Sequence, residues 1–278
     1  PRTAKHKLSL SLSLTSPSGI QVKLSSKSTS FFLPFPLLHF LVAFASSVPN
    51  CMFVTWESGP FKYVAQNDDE KVCAVYLMTD PDKRVEIHFV NLDLPCESFA
   101  LISVVDGWEL NGELFPSAQD HPLALEERVD EFCGHKGPRI FQSSQNVALI
   151  RYRVPKAGKG FTFFVVYPRN PMPCNVLAVS TTEPFTLRNY GNRVNCTYTA
   201  VYPSIVEIPS LAVGPFDLSF IPNCFQCSER SPQDQLVIGG SYGLDTSKIE
   251  ILDTICGVKT KSGESLADFT LDSSSECN

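Results

Sequence analysis

Ten cysteines are the residues of this sequence best able to do chemistry, and their spread decides which chemistry that is. They stand at positions 51, 73, 96, 133, 174, 196, 224, 227, 256 and 277, scattered along the chain and not bunched into ligand quartets. A reduced cytosolic enzyme rarely carries so many, so the pattern reads as a disulfide framework made in an oxidising compartment. Cys224-Phe-Gln-Cys227 alone has the spacing of a redox or zinc pair. With no βαβ pattern around it and no second ligand pair, it reads as one bridge partner plus an odd cysteine.

The other reactive types point away from catalysis. His88, His121 and His135 are the histidines beyond residue 45, and His121 follows Asp120, which on its face permits acid–base work. No Gly-x-Ser-x-Gly elbow, His-Glu-x-x-His pair or phosphate loop accompanies them. No catalytic residue and no cofactor is expected, and the chain reads as a binding protein, not an enzyme. Asn195-Cys196-Thr197 is the one Asn-x-Ser/Thr sequon, which makes Asn195 the candidate glycan acceptor. Trp56 and Trp108 are both expected to pack in the core, because each sits in or beside a presumed strand.

The N-terminal 45 residues differ from the rest. Positions 1–30 are rich in Ser, Lys and Thr and are read as lacking a hydrophobic period, so no structure is expected there. From Phe31 to Ala45 the chain is apolar but broken by Pro34 and Pro36, and it falls short of the roughly 20 residues a spanning helix needs. It ends in Ala43-Phe44-Ala45, the small-x-small pattern of a signal-peptide cleavage site, so a secretion signal cut after Ala45 is expected. Arg2, Lys5, Lys7, Lys23 and Lys27 are the charged residues of this segment; without it 18 basic residues face 29 acidic ones, a net charge of −11. So acidic a body excludes nucleic acid as partner and suits a basic peptide.

The elements that must position these residues read as short strands. Arg84 to Phe89 alternates apolar and polar residues, as does Asn195 to Val201 more loosely. Phe99 to Val105, Val147 to Val154 and Phe161 to Tyr167 are β-branched and aromatic runs, and the one helical candidate lies around Leu123 to Phe132. The cysteines repeat: 22 residues separate Cys51 from Cys73 and again Cys174 from Cys196. A longer interval follows each, 37 residues from Cys96 to Cys133, and 32 or 29 from Cys224 or Cys227 to Cys256. The expected organisation is an all-β chain with a leader over 1–45 and two tandem modules over 46–171 and 172–278. 

With Ile87-x-Phe89 before Cys96 and Val104-Val-Asp-Gly107 after it, each module resembles the CUB domain, a jelly-roll-like sandwich. The first module carries closing strands at Ser144 to Ile150 and Gly160 to Phe163; nothing similar follows Cys256, so the second is expected to lack its last strands. CUB modules that bind calcium use an acidic residue shortly after the third cysteine, and Cys96-Glu-Ser-Phe-Ala-Leu101 has no Asp there, so no metal site is assigned.

Local strings narrow the resemblance. Asp106-Gly-Trp108, Gly112, Phe115-Pro-Ser117, Gln119-Asp-His-Pro-Leu123, Ser143-Ser-Gln-Asn-Val-Ala148, Gly160-Phe-Thr162, Pro173-Cys-Asn-Val176, Asn195-Cys196 and Gly243-Leu-Asp-x-Ser-Lys248 together resemble the corticotropin-releasing-factor (CRF)-binding protein family. So does the opening, Cys51 followed by Gly59, Phe61 and Tyr63. The resemblance implies a secreted glycoprotein with no membrane span in its mature form, which sequesters CRF-like peptide hormones and limits receptor signalling. The competing function is a generic CUB adhesion or protease-accessory protein. The resemblance also implies the bridges Cys51–Cys73, Cys96–Cys133 and Cys174–Cys196, with Cys227 preferred over Cys224 as partner of Cys256 and Cys277 left without one. Family members place a basic residue before the first cysteine and an acidic one just after it, both associated with peptide binding; the matching positions are Ser47 and Phe53, so no ligand-binding residue is carried over.

Replacing Asn195 by Gln should abolish the chain's one N-glycan. Gel mobility before and after glycosidase tests this: the wild type shifts and the variant does not.

Overall fold

The computed structural model describes residues 7–14, 19–25, 45–135, 137–179, 185–192, 194–201, 205–212, 235–241 and 249–256. Among them lie twenty strands, two single turns of 3-10 helix and no α-helix. The first two strands are β1 (Lys7–Leu14) and β2 (Gly19–Ser25), inside the tract expected to carry no structure. That expectation is corrected by its own pattern: Leu and Ser alternate strictly from Leu8 to Leu14, the period of a strand with one apolar face. Two compact units divide the chain, one from Ser28–Glu109 and Pro122–Pro171, the other from Pro1–Lys27, Leu110–His121 and Met172–Asn278.

The first unit holds two five-stranded sheets. Its strands are β3 (Ser46–Ser47), β4 (Met52–Thr55), β5 (Gly59–Val64), β6 (Val72–Met78), β7 (Glu86–Asp93), β8 (Leu101–Val105), β11 (Val129–Phe132), β12 (Arg139–Gln142), β13 (Val147–Arg153) and β14 (Gly160–Val166). One sheet runs β11-β8-β13-β6-β4 and the other β12-β7-β14-β5-β3. Neighbours are antiparallel except at the edges, where β4 runs parallel to β6 and β3 parallel to β5. Between them in chain order, β9 (Trp108–Leu110) and β10 (Glu113–Phe115) pair as a two-stranded ribbon.

Period-two alternation sends one row of each strand inward. Phe61, Val75, Leu77, Ile87, Phe89, Ile102, Val104, Ile150, Tyr152, Phe161, Phe163 and Val165 share one core. Aromatic rings dominate it: Phe61 stacks on Phe163 at 5.4 Å between centroids, and Phe89 meets Phe132 edge-on at 5.1 Å. Each such side chain contributes about 2–3 kcal/mol by leaving water, more than any surface pair can. The expected helix around Leu123 to Phe132 is not formed. Leu125–Glu127 makes one 3-10 turn and β11 follows, because β8 offers Val129 to Phe132 a ladder of backbone partners.

A buried polar cluster ties the core's loops together. The Asp106 carboxylate, 2% exposed, accepts from the Ser144 N–H at 2.8 Å, the Ser144 hydroxyl at 2.6 Å and Gln145 Nε2 at 2.6 Å. Arg128, 1% exposed, donates through Nε and Nη2 to the Asp106 main-chain oxygen. Burial pulls the Arg128 guanidinium below its ordinary pKa, and the Asp106 charge opposes that pull. Ser143 Oγ accepts from the Val85 N–H at 2.9 Å, and Asn146 Nδ2 donates to the Thr79 oxygen at 2.9 Å. Trp108 is buried as expected, its indole N–H shared between the oxygens of Leu77 and Ala148.

The second unit contains β15 (Val176–Ala178), β16 (Phe185–Arg188), β17 (Val194–Ala200), β18 (Ile205–Ala212), β19 (Gln235–Ser241) and β20 (Glu250–Cys256). Its sheets run β15-β17-β1-β19-β20 and β16-β2-β18, so the N-terminal strands are inner members of both.

Asp106→Ala should destabilise the first unit by about 3 kcal/mol, since it strips the partner from the buried Gln145 donor and from two Ser144 donors, and the counter-charge from buried Arg128. Urea unfolding followed by Trp108 fluorescence, in a Trp56→Phe background that leaves one tryptophan, should show the midpoint fall. An unchanged midpoint would remove the cluster's structural role.

Candidate functional site

The chain changes sheets within a few residues at the start of the first unit. β3 pairs Ser47 with Lys62 on one sheet, and the Val48 N–H donates to the Lys62 oxygen at 3.0 Å. Val48 is buried, the turn through Pro49 and Asn50 follows, and β4 then joins the other sheet beside β6. The Cys51–Cys73 bridge, with Cα atoms 4.5 Å apart, closes this crossing. Cys96–Cys133 staples the entry to β8 against the end of β11, and Cys174–Cys196 is formed in the second unit, as the family resemblance implies. Cys224, Cys227 and Cys277 lie outside the described residues, as does the side chain of Cys256.

β4 is an edge strand, and its alternation divides apolar residues between two faces. Phe53 turns inward to Phe61 at 6.2 Å, and Thr55 is buried with its hydroxyl accepting from the Glu57 N–H. Met52, Val54 and Trp56 take the outer positions at 61%, 49% and 66% exposure, with Val72 nearby at 64%. Trp56 is therefore not the core residue expected; among the described residues nothing packs over the outer row of this edge strand. A tryptophan and two aliphatic side chains in a solvent-facing row form a sticky ledge of the kind found at recognition surfaces.

A hollow of about 680 Å³ lies around the Cys51–Cys73 bridge, one residue along the chain from Met52. Ser47, Asn50, Lys62, Gln66, Asn67, Asp69 and Lys71 line it with donors and acceptors. Lys71 donates to the Asp69 carboxylate, at 3.1 Å through Nζ and 3.1 Å through its N–H, and holds that carboxyl below its ordinary pKa. On the same loop Asp68 is held low by the Ala157 N–H and by Lys156. Burial raises the Tyr63 phenol, and the Asp69 charge adds to the rise. Such a site can bind an amphipathic chain: apolar contact on the ledge, hydrogen bonds and charges in the hollow. Ser47 is exposed beside it and Phe53 is partly buried beneath it, so only the first of these matched positions is open to a ligand.

The histidines are dispersed. His88 Nε2 meets Glu86 Oε1 at 2.6 Å on β7, and His135 Nδ1 lies 3.2 Å from the Leu92 oxygen. His121 is buried in a turn whose Asp120 carboxylate accepts from the Ser117 hydroxyl at 2.9 Å. Asn195 is partly exposed on β17, and the sequon's Thr197 is buried with its hydroxyl donating to Asn175 Oδ1 at 2.8 Å. Among the described residues no three His, Cys, Asp or Glu side chains gather as metal ligands. The ledge escaped the sequence reading because Met52 to Trp56 carries large apolar residues on both alternating rows, so the pattern does not say which row is covered.

Comparison with known proteins converges on one family. Residues 45–168 match the corticotropin-releasing factor binding protein N-terminal domain. The human corticotropin-releasing factor-binding protein is 33% identical over 209 residues, covering 74% of this chain and 64% of that protein. The Xenopus laevis protein of the same name is 36% identical over 217 residues with the same coverage, and the mouse protein is 32% identical over 209. The chain thus spans 64% of the length of these curated relatives. The extracellular region of zebrafish Gpr126/Adgrg6 superposes at a TM-score of 0.33 and 13% identity, over 81% of this chain and 36% of that one, too weak a likeness to name the fold. Residues 45–168 thus match the family's N-terminal domain, and the chain is 32% to 36% identical over 74% of its length to the mouse and Xenopus corticotropin-releasing factor-binding proteins.

Proposed function

We propose that this chain is a secreted, glycosylated binding protein that captures a CRF-like peptide hormone outside the cell, without cleaving it, and so limits receptor signalling. The observation that carries the reading is its 32% to 36% identity, over 74% of its length, to proteins named for binding corticotropin-releasing factor. Three disulfides support an extracellular setting, and no helix among the described residues is long and apolar enough to cross a membrane. Paired all-β sheets in each unit are compatible with two CUB-like sandwiches, and Cys227–Cys256 is the fourth bridge of that reading.

The Met52–Val54–Trp56 ledge with the hollow beside it is the binding surface in this proposal. CRF-type peptides form amphipathic helices, and an apolar helix face seats on an apolar ledge with its polar flank toward Lys62, Asp69 and Lys71. The net charge of −11 beyond residue 45 adds long-range attraction for a basic peptide, which speeds encounter more than it tightens the complex. Phe53 lies within the ledge's strand and Ser47 lines the hollow, the positions whose counterparts the family resemblance links with peptide binding.

Surface plasmon resonance with an amidated CRF-like peptide tests this. The wild type should bind at micromolar peptide or below, added salt should slow association, and chelators should change nothing. Trp56→Ala and Val54→Asp should each weaken binding about tenfold or more, the loss expected of a central anchor. Ile140→Ala, on an exposed position of β12, should stay within twofold of wild type. No wild-type binding would sink the hormone-carrier reading, and cleaved peptide in the flow-through would overturn the non-enzyme reading.

A further inference from the structure

Two guanidinium groups stand among exposed apolar side chains on the outer face of the β11-β8-β13-β6-β4 sheet. Ala148, Ile150 and Tyr152 of β13 belong to the core, so Arg151 and Arg153 share the outward row of that strand. Arg151 is in register with Ala74 of β6 and Ser103 of β8, and Arg153 with Val72 and Leu101. β4 continues the first of these rows, with Met52 opposite Ala74. Val72 therefore flanks one arginine directly, and only the short Ala74 side chain separates Met52 from the other. Both Met52 and Val72 are more than half exposed. Met52 also begins the ledge, so the ledge and the arginine pair lie on one face of one sheet.

Neither guanidinium is saturated. Arg151 lies 4.0 Å from one Glu109 carboxylate oxygen and 3.5 Å from the Ser103 hydroxyl, both at the limit of contact, and its side chain is 38% exposed. Arg153 donates through Nε to the Phe99 oxygen at 2.9 Å, and among the described residues no carboxylate pairs with it. Five N–H donors on a planar fork leave each arginine with hydrogen bonds to give. Phe99 is a second, independent observation. It takes the left-handed backbone, φ 58° and ψ 26°, which a bulky residue adopts only at a cost and which glycine or asparagine adopts freely. The residue is 73% exposed, its ring centroid 6.0 Å from the Arg153 guanidinium, so burial does not compensate for the backbone. A strained residue whose ring stands in water points to a use outside the fold.

We propose that this face selects an amphipathic helix carrying two acidic residues one turn apart, which pair with Arg151 and Arg153 while its apolar stripe lies on Met52, Val72 and Phe99. The inference rests on the ledge's being a binding surface, and it adds the charge pattern of what binds there. The spacing fits: outward residues two apart on a strand are separated by about 7 Å, and residues at i and i+4 of a helix by about 6 Å. Arginine's fork takes a carboxylate through two parallel hydrogen bonds, and a partly dry apolar setting strengthens them. A peptide that is basic overall can carry one such acidic pair, so long-range attraction and local pairing act on different charges. A polyanion such as a sulfated glycan fits less well. Beyond position 45 the 29 acidic residues outnumber the 18 basic ones and repel it, and the apolar row offers it nothing.

Titration calorimetry on the full chain tests this, with two synthetic amphipathic helices that share one leucine stripe. One carries Glu at i and i+4 beside the stripe, and the other carries Lys at the same places. The Glu helix should bind about tenfold tighter than the Lys helix, or more. Arg151→Glu with Arg153→Glu should invert that preference, a gain of binding that an unfolded variant could not give. Phe99→Asn relieves the backbone, so its melting temperature should hold or rise while affinity for the Glu helix falls about fivefold or more. Equal affinity for the two helices, binding of neither, an uninverted preference in the double variant, or unchanged affinity in Phe99→Asn would each overturn the proposal. Heparin bound in their place, and lost in the double variant, would overturn it in favour of a polyanion site. The hormone reading is separable. A CRF-like peptide that fails to bind where the Glu helix binds sinks that reading and supports the arginine assignment. One that binds wild type and all these variants alike overturns the arginine assignment alone.

Discussion

Cys51 and Cys73 stand 4.5 Å apart at Cα, and the bridge between them holds the point where the first unit's chain passes from one sheet to the other. A four-residue parallel strand at a sheet edge has few hydrogen bonds and little buried surface of its own. In the chain-entropy view, closing a loop of this length contributes about 3 kcal/mol by restricting the unfolded chain, enough to keep β4 docked. Once β4 is held, Phe53 must enter the core and Met52, Val54 and Trp56 must stand in water. The hollow surrounds the same cystine, lined by the segment from Ser47 to Cys51, by Lys62 to Val64 and by the loop through Asp69. Cys174–Cys196 repeats the geometry in the second unit at 4.6 Å, with β15 and β17 in place of β4 and β6.

The strings that carry the family resemblance turn out to be mostly structural. Asp106, Trp108, Phe115, Ser143, Gln145, Asn146, Val147, Ala148 and Asn175 are all buried. They supply the polar cluster around Asp106, the indole shared by two strands and the amide that binds the sequon's Thr197. Such residues are constrained because a buried donor or acceptor without its partner costs about 1–3 kcal/mol, so few substitutions keep the fold. The exposed ledge lies outside those strings. Resemblance through the core thus reports which fold this is, whereas the contacts made with a ligand depend on surface positions that the core leaves free to vary.

Local order was legible where one face is buried and the other is wet. Arg84 to Phe89, Val147 to Val154 and Phe161 to Tyr167 read as strands because their alternation or β-branched content survives in a short window, and β7, β13 and β14 fall there. The 22-residue cysteine interval recurs in the sequence, and both copies of it are closed as bridges. Two local readings failed for different reasons. The segment from Leu123 to Phe132 has helix-forming residues, but β8 outbids that weak preference with a ladder of backbone bonds. The Leu/Ser alternation at Lys7–Leu14 was visible in the sequence, and its small polar residues made it pass for a tract without structure.

What the sequence determined by itself was therefore local or compositional: a disulfide-bonded all-β chain, several of its strand positions, its repeated cysteine intervals and its likeness to one family. The tertiary structure alone decided the pairings and the exposures. β1 meets β17 and β19 across more than 180 residues of sequence, and no period within eight residues names a partner so distant. Trp56 was equally undetermined, because an apolar strand with two apolar rows becomes half covered or fully covered according to whether another strand lies beside it. Burial is a property of the neighbours, and the neighbours of an edge strand are set by the fold as a whole.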